Sequence, residues 1–203
     1  LARSDIYLTR ETYEAMEAMF AAAEADGVNG FIVTSGYRDY DRQAEIYAES
    51  EPGLAQEPGA SEHQTGLAID VGKAAKEIDF IRPAFPYAGL CQRFRELAPA
   101  YGFIERYQAG KEGITGVAQE PWHFRYVGTP HASLIARDGL TLEEYTAALG
   151  AYSAGSPRRL PDGTRIYVVP AGEEETVIPL PEQGCAEISG NNADGFVVTV
   201  RPS

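Results

Sequence analysis

"SEHQTGLAID", residues 61–70, places His63 and Asp70 on either side of Gly66. From the glycine onward the pattern alternates, with Leu67, Ile69 and Val71 on one face of a strand and Ala68 and Asp70 on the other. The glycine lets the backbone bend so that the His63 imidazole and the Asp70 carboxylate converge. A carboxylate on that face is solvated, ion-paired or bound to a metal, and the spacing alone does not choose among these. Three protein ligands and one open position make a catalytic zinc site, and the chain has three histidines: His63, His123 and His131.

A second cluster adds to the first. "QEPWHF" sets Glu120 three residues before His123. Residues three apart on a regular strand face opposite sides, but Pro121 between them distorts the backbone and brings both toward one pocket. A carboxylate beside a zinc ion, without ligating it, suits a general base. The plainer reading makes Glu120 a surface ion pair and His123 a satisfied core histidine. His131, in "GTPHASL", opens a helix and reads as a surface or capping residue.

Outward from these clusters, "LTRETYEAMEAMFAAAEADG" reads as an amphipathic helix capped by Thr9, with Tyr13, Met16, Phe20 and Ala23 on its apolar stripe. "GFIVTSGYR" is a buried strand that delivers Tyr37 and Arg38 to its end, and "DYDRQAEIYAES" a helix with Asp39 at its cap. Residues 51–60 form a Gly/Pro loop, a helix covers about 85–101, "ITGVAQEPWHFRYVG" holds the Pro-interrupted strand, and "LTLEEYTAALGAY" is the last helix. Strands and helices mix without βαβ regularity, which predicts an α+β fold. Residues 153–162 read as a linker between a domain at 1–152 and a small β-rich module or extension at 163–203. Within that module "TRIYVVPA", "ETVIPLP" and "GFVVTV" are the expected strands.

Composition excludes several classes. At 203 residues the chain can bury a core unaided, and a formal charge of −13 disfavours nucleic acid and anionic lipid as partners. No apolar run reaches the roughly 20 residues of a membrane span. The chain opens "LARSD" without methionine, so any membrane association is expected only through a removed N-terminal leader or anchor. Cys91 and Cys185 lack metal-type spacing; they read as two small hydrophobes or as one bridge. The expected oligomeric state is a monomer.

The residues together carry a resemblance. "SEHQTGLAID" fits S-x-H-x-x-G-x-A-x-D and "EPWHFRYVG" fits E-x-W-H with a trailing arginine and tyrosine. With "SGYRDYDRQ", "YGFIERY" and "KEGITG" in the same order, the chain from about 30 to 150 resembles the VanY-type D-alanyl-D-alanine carboxypeptidases. The resemblance implies the fold shared by zinc D-Ala-D-Ala peptidases and the hedgehog signalling domain: a small central antiparallel sheet with flanking helices. It implies one zinc ion (Zn2+) per chain on His63, Asp70 and His123, Glu120 as catalytic base, and a substrate site formed by Arg38, Gln43, Ser61, Tyr107 and Trp122. Asp39 stands where many relatives carry serine, a change confined to the helix cap.

The implied activity is removal of the terminal D-alanine from peptidoglycan precursors or stem peptides ending in D-Ala-D-Ala. L,D-carboxypeptidase, D,D-dipeptidase and a non-catalytic wall-peptide binding domain are the alternatives. Pro121, where dipeptidases tend to carry a second tryptophan, resembles the carboxypeptidases. The place of action this implies is extracytoplasmic, in the cell wall or anchored to the membrane.

Overall fold

The computed structural model describes residues 6–50 and 55–203; positions 51–54 of the expected 51–60 loop therefore lie outside the described residues. The chain divides into two compact units, 1–141 and 142–203.

In the first unit, helix α1 (Arg10–Ala25) begins where Thr9 Oγ1 accepts the backbone N–H of Thr12 at 3.3 Å. Its buried stripe is Thr12, Met16, Met19 and Ala23. The expected stripe was rotated by about one residue: Tyr13 is exposed and donates to Glu17, while Phe20 packs at the margin of the core. The polar Thr12 takes the inner position because its hydroxyl meets that of Thr9 at 2.9 Å.

Strand β1 (Phe31–Ser35) leads into α2 (Tyr40–Glu49), capped by Asp39 Oδ1 accepting Arg42 N–H at 2.8 Å. A 3₁₀ turn (Glu62–Thr65) ends at Gly66, whose φ of 72° is the left-handed conformation that glycine tolerates. Strand β2 (Ala68–Lys73) follows. Helix α3 covers Gly89–Leu97 and tightens into a 3₁₀ turn at Ala98–Tyr101. It starts four residues later than expected, since Pro86 disfavours helical geometry at Phe85. Strand β3 (Phe103–Tyr107), the short α4 (Glu112–Thr115), β4 (Glu120–Tyr126) and α5 (His131–Asp138) complete the unit.

The four strands form one antiparallel sheet in the order β1-β2-β4-β3. Val33, Ile69, Val71 and Phe124 of the sheet pack with Met16, Met19, Phe94 and Phe103 in a single cluster. Phe94 meets Phe20, Phe85 and Phe124 edge-on at centroid distances of 5.2–5.8 Å. That packing, worth about 3–5 kcal/mol for a buried phenylalanine, supports the sheet from below while its other end carries the polar residues.

The second unit holds α6 (Leu142–Leu149) and strands β5 (Arg158–Arg159), β6 (Arg165–Pro170), β7 (Cys185–Gly190) and β8 (Gly195–Arg201), in the order β5-β6-β8-β7. Residues 153–162, expected as linker, contain a Ser153–Ser156 bridge and β5, and lie with α6 in this unit. "ETVIPLP" is not a strand. Pro179 and Pro181 cannot donate to a ladder; the Pro179 carbonyl instead accepts from Tyr167 Oη, and Ile178 packs on Tyr167, Val198 and Val200. The third strand is β7, paired with β8 from Cys185–Arg201 to Gly190–Phe196. The turn between them is closed by Asn191 Oδ1, which accepts three backbone N–H groups, those of Ala193, Asp194 and Gly195.

The cysteines are free thiols, Cys91 buried on α3 and Cys185 exposed on β7, so the bridge considered from the sequence is not formed. Among the described residues no helix is long and apolar enough to cross a membrane.

Candidate metal centre

Two candidate ligand positions follow from one cross-strand pair. Asp70 on β2 lies directly opposite His123 on β4, and direct partners on an antiparallel pair present their side chains on the same face. His123 Nδ1 stands 3.0 Å from Asp70 Oδ1. His63 comes from the 3₁₀ turn before Gly66, and its Nε2 is 3.3 Å from Asp70 Oδ2. The Gly66 carbonyl accepts the Thr9 N–H at 3.0 Å, which ties this turn to the start of α1. One ligand atom from each of His63, Asp70 and His123 lies within 4.8 Å of the others, and all three residues are buried.

These donors fit a divalent cation. His63 Nδ1 donates to the Gly36 carbonyl at 2.7 Å, so the neutral ring turns the lone pair of Nε2 toward a carboxylate oxygen. Two acceptors face each other at that point unless a proton or a cation separates them. Burial, only partly opposed by Asp70, pushes the His63 pKa down and disfavours the proton. Burial alone would also raise the Asp70 carboxyl, yet the two neighbouring imidazoles, with His123 itself pushed up to about 9 against burial by Asp70 and Glu62, hold it well below the ordinary carboxylate range, so its charge persists. An anionic oxygen and two imidazole nitrogens, sequestered from water, are the donor set of a zinc-type site.

Glu120 reaches the same place through an irregularity in the sheet. The β3–β4 register runs Phe103–Tyr126, Ile104–Arg125 and Glu105–Phe124, then shifts so that Tyr107 faces Glu120. Pro121 lies in the slipped segment and has no N–H to keep the ladder regular. Glu120 Oε2 is thereby 3.8 Å from His123 Nδ1. Burial, with Asp70 adding to it, pushes its carboxyl up against the opposing pull of His123 and Arg38.

The cluster forms the floor of a cavity of about 570 Å³ that is also lined by Arg38, Gln43, Ser61, Tyr107 and Trp122. Arg38 and Gln43 carry unused hydrogen-bonding capacity: Arg38 Nε and Gln43 Oε1 are buried and have no partner among the described residues. Gln43 Nε2 is committed to the Gln56 carbonyl at 2.7 Å, which fixes its oxygen as the open end. Ser61 makes no side-chain cap bond to the turn it precedes. Tyr107 stacks on His123 with ring centroids 5.0 Å apart, and Trp122 packs on the core margin. His131 opens α5 and does not line the cavity.

Sequence reasoning missed Glu62, Arg106 and Arg125. Glu62 Oε1 accepts from Arg106 Nε at 2.8 Å and pairs with Arg125 Nη1 at 2.9 Å, while Oε2 lies 3.5 Å from His123 Nε2. Burial favours a neutral Glu62, but His123, Arg125 and Arg106 together hold its carboxyl far below the ordinary range. The trailing arginine of "EPWHFRYVG" was visible as a motif element, but its partner, forty-four residues upstream of Arg106 and on another element, was not.

Residues 5–129 match the family described as VanY, D-alanyl-D-alanine carboxypeptidase. A D-alanyl-D-alanine carboxypeptidase of Enterococcus faecium is 37% identical over 202 residues, covering 100% of this chain; the chain spans 64% of that relative's length. The solved D,D-dipeptidase VanXYg, in complex with a D-Ala-D-Ala phosphinate analogue, superposes with a TM-score of 0.91 at 43% identity, over 97% of this chain and 82% of that one. The E175A mutant of the D,D-pentapeptidase VanY from the VanB-type cassette, in complex with Zn(II), gives a TM-score of 0.57 at 34% identity, over 71% and 86%.

Proposed function

The chain belongs to the VanY family of D-alanyl-D-alanine carboxypeptidases, and on that premise we propose that it hydrolyses the terminal D-alanine from acylated peptides ending in D-Ala-D-Ala. The observation that carries the reading is the meeting of His63, Asp70 and His123 beside Glu120, in a cavity where Arg38 Nε is buried with no hydrogen-bond partner among the described residues. We assign one zinc ion per chain to His63, Asp70 and His123. When bound there, zinc supplies Lewis-acid polarisation of the scissile carbonyl and acidifies the attacking water.

The protein's own groups do the rest. Glu120, set beside the ligands and raised by burial, takes a proton from the attacking water and returns it to the departing amine. Arg38 pairs its planar fork with the substrate's terminal carboxylate, and Ser61 offers a hydroxyl to the same group. Gln43 Oε1, buried and without a partner among the described residues, accepts a substrate amide N–H. Tyr107 and Trp122 supply flat apolar walls for the alanine methyl groups. Unit 1–141 contains all of these residues.

VanXYg favours a second reading, D,D-dipeptidase, because its superposition covers nearly the whole chain. The charge lining the cavity supports the carboxypeptidase. Its carboxylates among the described residues are Glu62, Asp70 and Glu120, each facing a histidine or arginine, whereas Arg38 and Arg82 are cationic and Arg42 is paired with Glu45. The ammonium group of a free dipeptide would find no uncommitted carboxylate among the described lining residues, whereas an acylated peptide brings no such group. L,D-carboxypeptidase activity shares the carboxylate-binding residues and is separated by substrate length. We place the enzyme outside the cytoplasm, where wall peptides are found, acting as a monomer. The C-terminal unit is assigned no part in the chemistry.

The test is mass detection of D-alanine released from penta-, tetra- and dipeptide substrates by zinc-loaded protein, with and without chelator. Release from the pentapeptide that stops on chelation is expected. Fully metallated protein that releases nothing from any of the three refutes the hydrolase reading, and preference for the dipeptide reverses the choice.

A further inference from the structure

We propose that Glu62 is a positioning residue for the metal centre, holding the His123 ring so that Nδ1, rather than Nε2, is offered to the ion. The inference rests on the assignment of His63, Asp70 and His123 as ligands.

His123 Nδ1 points at Asp70 and its Nε2 points away, into the protein. A neutral imidazole that ligates through one nitrogen carries its proton on the other, and that N–H requires an acceptor. Glu62 Oε2 is the group facing it, at 3.5 Å. Both atoms are buried, and neither has any hydrogen-bond partner among the described residues. The carboxylate is itself held: Arg106 from β3 and Arg125 from β4 both engage the opposite oxygen, Oε1. Two guanidiniums on one oxygen leave the other oriented toward the ring and keep the side chain from swinging into the cavity as a competing ligand. Tyr107, stacked on the imidazole face, limits the remaining tilt.

The two histidines are thus oriented by different means. His63 donates to a neutral main-chain carbonyl, that of Gly36. His123 meets a charged side chain, which makes its ligating nitrogen the more basic of the two. Because Glu62 immediately precedes His63 on the same 3₁₀ turn, one turn supplies a ligand with its own side chain and orients the second ligand with its neighbour's.

A purely structural role, bridging β3 and β4 to the turn, predicts something else: loss of thermal stability with no change at the metal. Glu62→Asp separates the two, since it keeps a negative charge opposite both arginines while withdrawing the oxygen from His123 by one methylene. The zinc Kd of the full chain is measured by chelator competition for wild type, Glu62→Asp and Glu62→Gln, alongside the melting midpoint of each metal-free protein. Zinc binding at least tenfold weaker in Glu62→Asp is expected, within the 10–100-fold that outer partners of metal-bound histidines control. If Glu62→Gln does not fold, Glu62→Asp alone decides. A change of less than tenfold, whatever happens to the midpoint, overturns the proposal. Wild type that takes up no zinc overturns the ligand assignment with it, so the two failures are distinct.

Discussion

Replacing Arg38 by alanine tests the substrate site most directly. The Arg38 backbone N–H donates to the His63 carbonyl at 3.2 Å, which anchors the root of the side chain beside a proposed metal ligand. Its Nε is buried without a partner, and burial lowers its pKa against the pull of Asp70 and Glu120. A desolvated cation in this state gains more from a carboxylate than a surface arginine does. Truncating one member of a buried, hydrogen-bonded charge pair costs about 2–5 kcal/mol. At about 1.4 kcal/mol per decade, kcat/KM on an acyl-D-Ala-D-Ala peptide should fall about 30- to 5,000-fold. The decisive assay compares that peptide with its C-terminal amide, which lacks the anionic partner. Wild type should discriminate against the amide by a similar factor, and Arg38→Ala should hardly discriminate. Arg38→Lys, which keeps the charge and loses the fork, should fall between them. An Arg38→Ala enzyme that still rejects the amide as strongly as wild type refutes the assignment.

Glu120→Gln should bind zinc with wild-type stoichiometry and lose about 10²–10⁴-fold in kcat; metal analysis and turnover measured on one sample check both halves, and near-normal turnover removes Glu120 from proton transfer. Gly36→Ala places a Cβ 2.8 Å from both Ile6 Cγ2 and the Tyr7 backbone oxygen, and such overpacking costs about 1–3 kcal/mol. At about 2–4 °C per kcal/mol for a chain of this size, calorimetry should show a lower midpoint. Zinc affinity should fall too, because the Gly36 carbonyl orients His63. Thr9→Ala removes the α1 cap and should cost about 1 kcal/mol of stability, leaving D-alanine release unchanged; a midpoint equal to wild type would show that the 3.3 Å contact contributes nothing.

The sequence made the centre legible wherever local rules determine it. Alternation after Gly66 put Asp70 on the polar face of β2, and Pro121 announced that Glu120 and His123 need not obey strand parity. Legibility ended where position depends on elements far apart in the chain. Nothing local marks Glu62 as buried, since its burial is created by arginines on β3 and β4. The buried α1 stripe differs from the expected one by one residue because Thr12, polar in the sequence, turns inward to meet Thr9, while Tyr13 stays at the surface with Glu17. In the C-terminal unit, β-branched residues between prolines imitated a strand. The true third strand, "CAEISG", is mostly exposed and so leaves little hydrophobic trace.

The pairing of Asp70 with His123 has a consequence for how this protein can change over generations. Strand side chains keep a two-beat frame, so losing or gaining one residue inside β2 or β4 would turn Asp70 or His123 away from its partner and point it into the phenylalanine core. Length variation is therefore expected to be purged from those thirteen positions. Natural or laboratory libraries that permit insertions should show that frame-locked silence on the two central strands, even where substitutions are abundant.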